Sequence, residues 1–136
     1  MSVSLTNYIK AVSEAEDPKR EIKKWVGSTK GHRLIGDRCM VATYARPERT
    51  SGGIILSDNI RQEDLYQGTV GLLVLLGDAA FKYDGSYAFN GEPPKLFDWV
   101  VYRPADGFQV AFNKASCRIF RSDSIIGVVS NPLAWY

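Results

Sequence analysis

The sequence predicts an all-β domain, a small barrel, carrying a helical appendage at its N-terminus. Three observations lead there. From Arg38 onward, short apolar runs of strand length alternate with Gly, Asp and Asn turn residues, and no helical spacing occurs among them. Thr69 to Leu76 is almost wholly apolar, which suits a central strand buried on both faces. Helical spacing is confined to the start of the chain, where Leu5, Tyr8, Ile9 and Val12 fall at i, i+3, i+4 and i+7.

The N-terminal elements come first. Ser4 is placed to cap the first helix. Asp17-Pro18 reads as an N-cap followed by proline at the first helical position. Ile22, Trp25 and Val26 give the second helix an apolar side, and Gly27 ends it. Lys19, Arg20, Lys23 and Lys24 line its other side, as a solvated face does. The expected division is a helical extension over 1–32 and a barrel over 33–136, with the extension packing on the barrel, a neighbouring subunit or another protein and dispensable for the barrel's folding.

In the barrel, Arg38 to Ala45 alternates as a strand, with Cys39, Val41, Thr43 and Ala45 on one face and Met40, Ala42 and Tyr44 on the other. Arg46 to Gly53 reads as a loop, with proline, paired glycines and small hydroxyl residues. Ile54, Ile55 and Leu56 follow at once. They are either the start of a buried strand or an apolar hook held out for a partner. The stretch from Lys82 to Pro94 is an aromatic-rich loop or hairpin with Asp84-Gly85 and Asn90-Gly91 as turns. Trp99 to Arg103, Phe108 to Phe112, Ser116 to Arg121 and Ile125 to Ser130 complete the strands. The tail, Asn131 to Tyr136, ends in two aromatics that suit a plug on the barrel or on a neighbour.

Five blocks resemble the GroES family, the chaperonin-10 co-chaperonins, and occur in family order. They are Arg33-Leu34-Ile35-Gly36-Asp37-Arg38-Cys39-Met40-Val41, Thr50-Ser51-Gly52-Gly53-Ile54-Ile55-Leu56, Gly68-Thr69-Val70, Phe97-Asp98-Trp99-Val100-Val101-Tyr102 and Ser122 to Val129. The Ala79-Ala80-Phe81-Lys82 segment and the Phe-Asp-Trp spelling look most like the versions carried by bacteriophages. The resemblance implies a homo-heptameric dome that caps a GroEL-type chaperonin ring and assists ATP-dependent folding of an unfolded client, with a phage capsid protein as one such client. It implies a mobile loop over about 46–59 whose Gly52, Gly53, Ile54, Ile55 and Leu56 dock on the chaperonin, and a roof hairpin over about 81–95. It also implies a subunit interface in which Ile125, Ile126, Val128 and Val129 of one copy pair with Arg38, Cys39, Met40 and Val41 of the next. Phe97 departs from the family, which has glycine before the aspartate, so a different turn is expected there.

The remaining chemistry bounds the function. At 136 residues and 45% hydrophobic content the chain is one domain with a packed core. Net charge is +2, with seven basic and four acidic residues in 1–35 against ten and eleven in 36–136. That balance argues against a nucleic-acid-binding barrel built on the Lys19–Lys24 cluster. Cys39 and Cys117 sit in strand-like runs and read as buried fillers rather than a disulfide. His32 is the sole histidine, and no Cys-x-x-Cys, acidic calcium loop or phosphate-binding glycine loop occurs. The zinc alcohol dehydrogenases share the fold, but the zinc-ligand pattern and nucleotide-binding half are missing. Asp98 and Asp123 stand at strand starts as turn residues. The expectation is therefore no enzyme, no metal and no cofactor, with ATP used by the partner chaperonin. There is no signal peptide and no run of membrane-span length, which suggests the cytoplasm, that of the host if phage-encoded. The alternative is a virion structural or capsid-decoration protein on the same barrel, its helices and aromatic tail serving as assembly contacts.

Overall fold

The computed structural model describes residues 3–46, 69–81 and 93–135, with side chains from Asn7 onward. Two helices, α1 (Val3–Glu14) and α2 (Pro18–Val26), precede six strands. The strands are β1 (Arg38–Thr43), β2 (Val70–Leu76), β3 (Trp99–Tyr102), β4 (Phe108–Phe112), β5 (Ala115–Arg121) and β6 (Ile125–Val129). They form one antiparallel sheet in the order β4-β5-β1-β2-β3-β6. The all-β class with N-terminal helices is thus the observed one.

Local chemistry sets the boundaries. The Asp17 carboxylate accepts from the Arg20 N–H at 3.3 Å, and Pro18 occupies the first helical position. Gly27 closes α2 at φ 67°, its N–H donating to the Lys23 carbonyl at 2.9 Å. Ser4 falls inside α1 rather than before it, so it is not the cap expected. Between β4 and β5, Asn113 and Lys114 both take positive φ (50° and 69°), the two-residue hairpin turn that matches strand twist. Gly71 marks a close approach of β1 and β2. A Cβ there would lie 2.6 Å from the Ala42 carbonyl oxygen and would strike the Val41 side chain.

Both faces of the central strands are covered, which explains why β1 and β2 read as near-continuous apolar runs. On one face Cys39, Val41, Leu73, Val100, Tyr102 and Phe120 pack with Ala80 and Phe81. Tyr102 and Phe120 meet at 4.6 Å between ring centroids. On the other face Met40, Ala42, Tyr44, Leu72, Val74 and Cys117 pack against Tyr8, Ile9 and Val12 of α1 and Ile22 and Val26 of α2. The helices therefore share the main core with the strands, which weighs against their being dispensable for the barrel. Polar ties reinforce the packing: the buried Tyr8 hydroxyl donates to the Thr43 carbonyl at 2.6 Å, and the Asn113 amide donates to the Val26 carbonyl at 2.7 Å.

Phe97 takes φ 69°, the left-handed conformation that glycine adopts without cost. The turn into β3 is thus of the kind glycine favours, with a phenylalanine in it. The reason lies on α2. The Lys23 ammonium sits 4.1 Å from the Phe97 ring centroid, and the ring packs against the helix-covered core.

Candidate functional site

The chaperonin-docking residues expected from the sequence, Gly52, Gly53, Ile54, Ile55 and Leu56, lie outside the described residues, as do 47–59 of the expected mobile loop and 82–92 of the expected roof hairpin. The stretch 47–68 connects β1 to β2, two neighbouring central strands.

The expected subunit interface divides into two halves with different surroundings. Cys39, Met40 and Val41 are buried, and both edges of β1 are taken within the chain, one by β2 and one by β5. Neither edge of β1 is left open to a neighbouring copy by this pairing. Arg38 is exposed, its guanidinium donating to the Ile35 carbonyl at 3.1 Å. Asp37 faces Arg121 at 3.5 Å, and its carbonyl accepts from the Ser122 N–H at 2.7 Å, which fixes the start of β1 against the end of β5.

The other half has an open side. Among the described strands β6 pairs with β3 alone and stands at the sheet's edge. Ile126 is 66% exposed and Val128 50%, whereas Ile125 packs on one core cluster and Val129 on the other. Sequence reasoning missed Ile35, 67% exposed in the coil before β1. Its signal was a large aliphatic pair, Leu34-Ile35, beside Gly36 and a few residues ahead of the strand. It also missed Phe108, exposed on β4 at the opposite edge of the sheet.

Among the described residues the buried thiols and phenols are held in their protonated forms. The two thiols are buried, and burial pushes each up to about 12, so neither is a thiolate at neutral pH. Burial likewise raises the Tyr8 and Tyr102 hydroxyls. Asp98 serves its turn, accepting from the Lys95 N–H at 2.9 Å. Among the described residues no cluster of His, Cys, Asp and Glu could hold a metal ion, and no helix is long and apolar enough to cross a membrane.

Comparison with known proteins turns this geometry into a family. The family model for the chaperonin 10 Kd subunit matches residues 32–129, most of the chain and the whole of its sheet. The chain belongs to the chaperonin 10 family. A co-chaperonin GroES of Lactobacillus helveticus is 30% identical over 98 residues, covering 69% of this chain and 94% of the relative. The GroES of Lactobacillus acidophilus is 29% identical over the same shares. The helices α1 and α2 precede the matched stretch, and residues 130–136 follow it.

Proposed function

We propose that this chain is a co-chaperonin, phage-encoded, that caps a GroEL-type chaperonin in the host cytoplasm and assists ATP-dependent folding of an unfolded client such as a capsid subunit. The observation that carries the reading is the family match across residues 32–129, a range that includes Gly52-Gly53-Ile54-Ile55-Leu56 between β1 and β2. The chain has no catalytic part in this reading. ATP turnover belongs to the chaperonin and supplies the release step.

The energetics favour many weak hooks over one strong one. Burying Ile54, Ile55 and Leu56 contributes roughly 1.5–3 kcal/mol each. Ordering a loop costs roughly 1–2 kcal/mol per residue, so one loop of about ten residues binds poorly by itself. Loops joined in a homo-heptameric ring raise one another's effective concentration, and the cap becomes tight yet releasable. In that ring the free β6 edge, with Ile126 and Val128 outward, takes the coil of the next copy around Arg33–Gly36, whose Ile35 is exposed. Main-chain hydrogen bonds along an edge and side chains on alternate positions are the physics of strand addition.

The test is Ile55→Ser. Capture by a GroEL-type chaperonin with nucleotide should fall at least tenfold, because a loss of about 1 kcal/mol per loop is repeated around the ring. The melting temperature and ring mass should hold. A large fall in melting temperature with capture retained would make Ile55 a core residue and sink the docking role.

A further inference from the structure

The exposed large apolar side chains are concentrated rather than scattered. Of the seven among the described residues, Ile126, Val128, Leu133 and Trp135 lie within the last eleven positions, so β6 and the tail carry most of them. The tail is a short 3-10 turn, Pro132–Trp135. Its backbone is fastened: the Thr69 hydroxyl donates to the Trp135 carbonyl at 3.0 Å, and the Leu133 N–H donates to the Asn131 side-chain oxygen at 3.1 Å. Leu133 nonetheless stays 43% exposed and Trp135 51% exposed. A tail that merely plugged the barrel would turn these side chains inward. This one is held in place with them outward.

Two grooves link the tail to β6. One, of about 350 Å³, lies between Tyr44, Trp99, Pro132 and Leu133. The other, of about 600 Å³, is bordered by Trp99, Val128 and Val129. Both are lined by Trp99 and Lys19, so they adjoin and lead from the end of β6 to the tail.

Interface area says what should cover this surface. A five-residue strand edge is about 17 Å long and a sheet layer about 10 Å deep. Pairing on β6 alone therefore buries a few hundred Å² at most, well short of the roughly 800 Å² per partner of a stable interface. The subunit contact needs more surface, and the apolar tail is continuous with it.

We infer that the β6 edge, the grooves beside Trp99 and the outward Leu133 and Trp135 form one surface that seats a second copy of this chain. This inference rests on the ring reading above. The sheet is antiparallel throughout. A neighbour's coil added to β6 in the same sense, with Arg33–Gly36 along the edge, carries its residues 27–32 past Val129 into the grooves. Leu133 and Trp135 then close over it. Residues 27–31 and 130–135 both lie outside the family match, so this chain adds its own clasp to the shared ring contact.

The experiment is sedimentation velocity of the full chain across a concentration series, with Leu133→Ser/Trp135→Ser and Val128→Lys beside it. The double variant should keep its far-ultraviolet dichroism when dilute and need at least tenfold more protein for half-assembly. Acrylamide quenching of the unsubstituted chain against Trp135→Phe gives a second measure that does not depend on the double variant folding. The Trp135 component should become shielded on assembly. If the parent chain assembles and the double variant assembles at the same concentration, or Trp135 stays equally quenched, the clasp is overturned and the ring reading stands. The clasp is also overturned if the double variant assembles normally but loses chaperonin capture, since the tail then faces the chaperonin. A parent chain that stays monomeric at every concentration, indistinguishable from Val128→Lys, overturns the ring reading and the clasp with it.

Discussion

β1 and β6 are both short aliphatic strands, Arg38-Cys39-Met40-Val41-Ala42-Thr43 and Ile125-Ile126-Gly127-Val128-Val129, yet they have opposite fates. β1 has a strand on each edge, a core cluster on each face, and five of its six residues buried. β6 has one strand neighbour among the described residues and alternates between half-buried and exposed. The difference comes from what covers them. β1 lies beneath α1 and α2, and β6 lies at the sheet's end. Strand composition therefore reports that a strand exists, while its place in the sheet decides whether it is core or contact.

The largest test of that contrast removes the cover. Deleting residues 1–30 strips Tyr8, Ile9, Val12, Ile22 and Val26 from the face they share with β1, β2 and β5. At roughly 1.5–3 kcal/mol for each large side chain, the loss rivals the whole 5–15 kcal/mol of a typical domain. The truncated chain should show no cooperative thermal transition. A sharp transition near the parent melting temperature would mean that the helices only decorate β1.

Alkaline pH probes the same core from inside. The thiols of Cys39 and Cys117 ionise near 12 when folded against an ordinary value near 9. Above pH 9 the unfolded chain gives up protons that the folded chain retains, so the unfolded state is favoured as pH rises toward 12. Tyr8 and Tyr102 act in the same sense. The melting temperature should fall steadily between pH 9 and 12. A thiol reagent at pH 8 should find no reactive thiol until the chain is denatured. Ready labelling in the native state would show a more open core.

The sequence revealed the fold through its periods. Strand positions came within a residue or two, because turn residues such as Asp98, Gly107 and Asn113 punctuate them clearly. The family blocks were legible for the same reason. Sheet order was not legible, since pairing partners leave no mark on a single strand, and nothing in Arg38–Thr43 announces that β2 and β5 take its two edges. The role of the helices was also hidden. Their apolar faces announced that something would be covered, without naming β1 and β2. Phe97 was noticed as a departure, but its cause, Lys23 some seventy positions earlier, became visible only in three dimensions.

Phe97 offers the next smaller effect. Phe97→Ala loses the ring's packing and its cation contact while keeping a left-handed Cβ-bearing residue. Phe97→Gly loses the same contacts but relieves the backbone. The glycine variant should be the more stable of the two by about 1 kcal/mol, from the usual cost of a left-handed non-glycine residue. Equal midpoints in urea would show that the turn relaxes when the ring is removed.

The smallest expected effect is the most discriminating, because one substitution can be made in both strands. Val41 is fully buried and Val128 is half exposed. Val41→Ser empties a core site between strands and buries a hydroxyl there, and should cost about 2–4 kcal/mol. Val128→Ser removes two methyl groups from a side chain that already faces solvent, and should shift stability by less than about 0.5 kcal/mol in the dissociated chain. Its effect should appear instead as a higher concentration needed for assembly, where Val41→Ser acts mainly through folding. Chemical denaturation of dilute protein and sedimentation of concentrated protein separate the two readouts. If Val128→Ser unfolds the dilute chain as readily as Val41→Ser does, β6 is core. The free edge would then already be covered within the chain, and the ring would have to find its contact elsewhere.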